Sequence, residues 1–204
     1  MDELPLFADH AALRSERWQR LRAGVQKLAA AGVSLGTSSW KYPGWLGWLY
    51  TPERYHTRGK FSEARFEREC LAEYSEVFKT VCFDGGYYTF PTEASMGRLY
   101  GQVPDDFLLS FKVTDEITLK RYPRLDRFGP RAGQINPRFL DATLFAEAFL
   151  RPLEPFREKT GVLMFEFARF TPAEWEDDGR FIAALDAFLA ALPAGWQYGV
   201  EIRN

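Results

Sequence analysis

Five segments in which bulky and small residues alternate recur along this chain, each separated from the next by a pattern of helical period. That alternation restricts the fold more than any other feature. The strand patterns are VSLGTSS from residue 33, TVCFDGG from 80, FLLSFKV from 107, GVLMFEF from 161 and YGVEIR from 198. Between them, Ser62 caps a helix whose apolar stripe is Phe66, Leu71, Tyr74, Val77 and Phe78, and a second helix opens at Thr92 with Met96, Leu99 and Tyr100 inward. Asn136 and Pro137 supply a cap and a first-turn proline for a third helix, carrying Phe139, Leu140, Leu144, Phe145, Ala148 and Phe149. The fourth is DGRFIAALDAFLAAL. Each connection is long enough to return the chain for a parallel pairing.

Two α/β architectures fit this order, an open doubly wound sheet and a closed barrel. Central strands of a doubly wound sheet are covered on both faces and read as continuous apolar runs. Here each strand has one bulky face: Val33 and Leu35; Val81 and Phe83; Phe107, Leu109 and Phe111; Leu163, Phe165 and Phe167; Tyr198, Val200 and Ile202. The other face is small or polar, as the packed interior of a barrel requires, so the expectation is a TIM-type (β/α) barrel. Late on that second face stand Asp84, Lys112, Glu166, Glu201 and Arg203, at the strand ends where barrels build their sites.

A barrel of this class has eight strands, and five are legible. Residues 1–32 then form an N-terminal helical extension, with Leu13, Trp18, Leu21, Val25 and Leu28 at helical spacing, and residues 33–204 form a partial barrel. The flanks of the first and fifth strands would be exposed edges, which natural proteins avoid. The expectation is about three further β-α units beyond Asn204.

Among the 204 residues 46% are hydrophobic and 26% charged, which excludes a disordered chain, and the net charge of -2 supplies no global attraction to nucleic acid or anionic membrane. MDELPLFADH lacks the basic and apolar runs of a signal peptide, and no stretch approaches a membrane span, so a cytoplasmic protein without membrane partners is expected. The two cysteines, Cys70 and Cys82, read as reduced thiols.

Taken in order, GTSSWKYPGW, TVCFDGGYYTFP, FLLSFKV and YGVEIRN resemble the motifs of the YecE-like family, called domain of unknown function 72, over roughly residues 33–204. The matching positions are Gly36, Thr37, Ser38, Trp40, Tyr42 and Trp45, then Tyr88 and Pro91, then Lys112, then Glu201 and Arg203. The resemblance implies a (β/α) barrel and no established activity. This chain departs from the family where Cys82 and Asp84 replace glutamate and asparagine, and where Leu119 and Asn204 replace histidines. Those changes remove metal or acid/base ligands that a family-wide mechanism would use.

The charged constellation has two readings. Interior ion pairs can fix strand register without stabilising the fold. Alternatively it is a polar ligand site: Lys112 and Arg203 hold an anionic or hydroxylated group, and Glu166 or Glu201 transfers protons. Asp84, Tyr88, Trp40, Tyr42 and Ser38 would complete the ligand contacts. Lys112 suits an electrostatic clamp better than a Schiff-base nucleophile, because a neighbouring carboxylate keeps its ammonium charged. The expected ligand is small and polar, carbohydrate-like or phosphorylated, and whether it reacts is left open by the sequence.

The aromatic loop, with Trp40, Tyr42, Trp45, Trp48, Tyr50 and Tyr55, reads either as a stacking platform or as a loop packed on itself. Combined with the basic stretch KRYPRLDRFGPR at 120–131, it motivates the alternative of a nucleic-acid-binding or phosphodiester-processing protein. No nucleotide-binding loop occurs. His10 and His56 have no ligand-type partners at helical spacing, so no metal site is assigned; a divalent ion on Asp84, Glu166 and Glu201 has no independent support in their spacing.

Overall fold

The computed structural model describes residues 10–171, 174, 175 and 177–203, with the backbone alone for 10–15 and 178. In chain order the elements are α1 (His10–Ala30), β1 (Gly36–Thr37), β2 (His56–Thr57), β3 (Lys60–Phe61), α2 (Glu63–Ser75), β4 (Thr80–Phe83), α3 (Gly85–Tyr88) and α4 (Glu93–Tyr100). There follow β5 (Leu108–Lys112), α5 (Asp115–Thr118), α6 (Ala142–Leu144), β6 (Thr160–Phe167), α7 (Asp178–Ala190) and β7 (Gln197–Ile202). Helical turns continue from α6 through Lys159, first wide and then tight. The protein is α/β, with five strands in parallel pairings and a small antiparallel hairpin of β2 with β3. Two units divide it, residues up to 82 with 98–108, and residues 83–97 with 109 onward. No helix among the described residues is long and apolar enough to cross a membrane.

In the first unit β1 is far shorter than its sequence pattern. Gly32 at φ 81° ends α1, with its N–H on Ala29 O and the Val33 N–H on Leu28 O, each 2.9 Å. This left-handed cap holds residue 33 to the helix end, so ladder pairing begins only at Gly36. Val33 and Leu35, expected to pack on helices, are therefore exposed at 51% and 42%. Gly36 itself has no alternative: a Cβ there would meet the Thr80 carbonyl oxygen at 1.9 Å. The α1 stripe is also thinner than expected. Val25 is buried, Leu21 and Leu28 are exposed, and the Leu13 side chain lies outside the described residues.

Tyr74 on α2 joins β1 to β4. Its hydroxyl accepts from Thr37 N–H at 2.9 Å and donates to Thr80 O at 3.1 Å. The aromatic loop is fastened by Glu73, whose carboxylate accepts from Thr51 N–H (2.9 Å), Thr51 Oγ1 (2.5 Å) and Tyr55 Oη (2.7 Å). The Tyr50 hydroxyl donates to Trp40 O, and the rings of Tyr50 and Tyr55 meet Phe66 edge-on at 5.1 and 5.0 Å. Trp40, Tyr50 and Tyr55 are thus core residues, while Tyr42 and Trp48 face outward. Burial of Phe66 alone contributes about 2–3 kcal/mol.

In the second unit β5, β6 and β7 run parallel, and their alternation matches the sequence pattern most closely in β6. Gly161, Leu163, Phe165 and Phe167 are buried while Thr160, Val162, Met164 and Glu166 are partly open. The buried face receives Phe145 at 5.0 Å from Phe165, Phe188 at 5.1 Å from Phe165, and Phe181 at 5.3 Å from Phe167. One extra residue enters β6: Leu109 pairs with Thr160 but Phe111 pairs with Leu163. This bulge restores the phase, so that bulky Phe111 meets bulky Leu163 and Lys112 meets Met164. The Val162 N–H donates to Ser110 Oγ at 3.1 Å.

Two expectations fail here for identifiable reasons. Asn136 caps a short turn and not a helix: its Oδ1 accepts from Arg138 N–H at 2.9 Å and from Tyr122 Oη at 2.8 Å, while the NH₂ of this buried side chain donates to Glu116 O and Leu119 O, each at 2.8 Å. Leu140 at φ 55° breaks the chain, and α6 opens two residues later with Asp141 accepting from Leu144 N–H. On β7, Val200 and Ile202 were expected to turn to helices, yet they are 38% and 51% exposed. They pair with Phe165 and Phe167, but the rings that cover those residues do not extend over them.

Candidate functional site

The polar faces of β5, β6 and β7 carry their charges to the same strand ends. Register places Met164 beside Lys112 and Glu201 beside Glu166, and Arg203 extends the ladder by donating its N–H to Phe167 O at 3.1 Å. Asp84 arrives from the end of β4, already in the right-handed helical region at the start of α3. Gly86 allows α3 to sit against the end of β5, since a Cβ there would meet Lys112 O at 2.8 Å.

Five side chains form one alternating chain of charge. Lys112 Nζ lies 3.3 Å from Asp84 Oδ1 and 3.1 Å from Glu166 Oε2. Arg203 lies 3.0 Å from the same Glu166 oxygen and 2.7 Å from Glu201 Oε1. Glu166, with a side chain 12% exposed, is therefore the hub, whereas Glu201 at 41% and Arg203 at 53% open to solvent. Burial works to lower the Lys112 pKa, but the Glu166 and Asp84 carboxylates outweigh it and hold the ammonium above the ordinary lysine value. Two carboxylates so placed favour the charged ammonium over the neutral amine.

A second layer comes from the segment after β5. Asp115, 4% exposed, pairs with Arg127 at 2.6 Å, and the Arg127 guanidinium lies 5.1 Å from the Tyr88 ring and 4.2 Å from that of Phe128. Burial raises the Asp115 carboxyl above its usual range while Arg127 pulls it back. Burial also raises the half-buried Tyr87, with Asp115 adding to the effect. Tyr88 is 62% exposed, its ring edge-on to Tyr87 at 5.3 Å.

Sequence reasoning missed Asp115 and its pairing with Arg127. The available signal was the T-D-E run directly after the third strand, followed from residue 120 by a basic stretch rich in aromatics. Residues 114–135 read as a polar loop but hold a core of their own in Leu119, Tyr122 and Phe128. The remaining expected ligand residues, Ser38, Trp40 and Tyr42, belong to the first unit. Ser38 and Tyr42 are exposed there, and Trp40 is buried at 2%, so its ring is not presented to a ligand. Among the described residues no three His, Cys, Asp or Glu side chains gather as a metal would need, since cations separate Asp84, Glu166 and Glu201. Asn204 lies outside the described residues.

A sequence model of DUF72, a protein family of unknown function, matches residues 34–204. Among solved structures, a DUF72 family protein from Thermotoga maritima is 20% identical, covering 83% of this chain and 55% of that one, with a TM-score of 0.48. Another from Enterococcus faecalis is 20% identical, covering 76% of this chain and 49% of that one, with a TM-score of 0.46. This chain spans about half the length of these solved relatives. No curated protein matches it.

Proposed function

The chain belongs to DUF72, a protein family of unknown function, and on that premise we propose that the ends of β5, β6 and β7 bind a small polar ligand, carbohydrate-like or phosphorylated. One observation carries the reading: Lys112 and Arg203 converge on a single oxygen of Glu166. A carboxylate oxygen held by two cations is a substitute for an anionic or hydroxylated ligand group, and the same two donors can take such a group by a small displacement. Glu166, the more enclosed carboxylate, positions both cations. Glu201 is more open and pairs with Arg203, so it is the group that exchanges protons with a bound ligand. Asp84 steadies Lys112 from the other side, and Tyr88, exposed beside Arg127, orients the ligand.

The proposal extends to the architecture. The strands belong to a TIM-type (β/α) barrel completed by about three further β-α units, as the one-sided packing of β5 and β6 supports. A natural stop codon directly after Asn204 would contradict that completion. A cytoplasmic setting belongs to the same reading, supported by Cys70 and Cys82 standing outside any disulfide. The site is tested by screening metabolites for thermal shift against the wild type, Lys112→Met and Glu201→Gln. A ligand whose response is lost in both variants supports the assignment, and responses unchanged in both defeat it.

A further inference from the structure

The fold divides the basic stretch at 120–131 into two parts. Arg127 and Arg131 turn to Asp115 and Glu116. Lys120, Arg121 and Arg124 instead line a cavity of about 410 Å³ within the second unit, and Arg169 joins them from the segment after β6. Glu174 is the carboxylate among the described lining residues, and it already accepts from Thr171 N–H at 2.7 Å and Thr171 Oγ1 at 2.8 Å. Among the described residues none of the four cations forms an ion pair.

Lys120 and Arg121 are held by contacts other than ion pairs. Lys120 Nζ sits 4.5 Å from the Trp175 ring and 5.1 Å from that of Phe139. Arg121 donates one bond to Gly133 O at 2.7 Å and keeps its other N–H donors. Among the described lining residues four cations stand against one carboxylate, in a chain whose total charge is -2. Like charges gathered in a partly enclosed space repel one another, and an anion relieves that cost.

We propose that this cavity binds a small phosphorylated molecule, with Lys120, Arg121, Arg124 and Arg169 taking the phosphate oxygens. A dianion fits the charge excess, and guanidinium forks match phosphate geometry. The volume is that of a small-molecule pocket and too limited for a nucleic-acid strand. None of Asp84, Lys112, Glu166, Glu201 and Arg203 lines the cavity, so this site stands independently of the one at the strand ends.

The test is calorimetric titration of the full chain at low ionic strength with ribose 5-phosphate and, separately, ribose. The wild type, Lys112→Met and the double variant Arg124→Gln/Arg169→Gln are compared, both arginines being exposed so that the fold tolerates their change. Ribose 5-phosphate is expected to bind and ribose not, with affinity falling about tenfold or more in the double variant. Equal binding of ribose, no binding of the phosphate, or undiminished affinity in the double variant overturns the proposal. Loss confined to Lys112→Met overturns it while supporting the strand-end site. An oligonucleotide that binds and is not displaced by ribose 5-phosphate also counts against it.

Discussion

Breaking the contact between Lys112 and Glu166 gives the most direct measure of whether the strand-end charges act as a unit. At 3.1 Å, two unit charges in an effective dielectric near 20 attract by about 5 kcal/mol. That gross figure shrinks because both groups lose water on pairing and Lys112 remains 24% exposed. The net coupling should be about 1.5–2 kcal/mol, at the lower end of the range of hydrogen bonds to charged groups. Substituting either partner leaves the other with a companion, since Lys112 keeps Asp84 and Glu166 keeps Arg203. Single-variant losses are therefore expected to be moderate, about 1–3 kcal/mol each. A double-mutant cycle of Lys112→Met and Glu166→Gln, read by urea denaturation, isolates the pair. Coupling below about 0.3 kcal/mol, the usual limit of additivity, would refute the argument that these residues form one electrostatic network.

The remaining predictions concern pH, packing and thiol chemistry. Because the folded Lys112 pKa is raised, its stabilisation is fully present below the unfolded lysine value of about 10.4 and is lost as pH rises through the folded value. The stability difference between wild type and Lys112→Met should accordingly be flat near neutral pH and shrink only in strong alkali; a difference that shrinks below about pH 8 would contradict this. Tyr74→Phe removes the hydroxyl that serves Thr37 N–H and Thr80 O, and should cost about 1–3 kcal/mol in denaturant titration. Phe66→Ala, at the centre of the aromatic loop's ring contacts, should cost about 3–5 kcal/mol by the same measure. Burial pushes the Cys70 thiol up to about 12, so an aromatic disulfide reagent at mildly alkaline pH should label it only after denaturation; labelling of both cysteines in the native protein would count against that burial.

Legibility in the sequence followed how far local chemistry decided the outcome. In β6 every residue's face follows from alternation alone, and Glu166 falls on the polar face because it stands between Phe165 and Phe167. The same holds for Glu201 and Arg203, whose common location needs only parallel register, whereas Lys112 also needs the extra residue in β6. Turn chemistry competing with a strand or helix pattern was less readable. VSLGTSS alternates correctly, but the helix cap at Gly32 claims its first residues. Asn136-Pro137 is a credible helix start, and Asn136 does accept from Arg138 N–H, yet the turn it begins ends at Leu140 with its positive φ. The β2 and β3 hairpin rests on Arg58 and Gly59, both at positive φ, a conformation that the Arg-Gly pair does not advertise. Arg127 and Asp115 meet only because residues 114–135 build their own core, which depends on three apolar residues spread through a polar run.

The extra residue in β6 has a consequence for how freely this chain can vary. Upstream of the bulge Leu109 stands beside Thr160, and downstream Phe111 stands beside Leu163. Strand lengths on the two sides are thereby uncoupled, much as a slip joint lets a pipe run change length without turning its fittings. The one residue by which β6 outruns β5 is taken up where the Val162 N–H turns to Ser110 Oγ. Glu166 is still delivered within reach of Lys112.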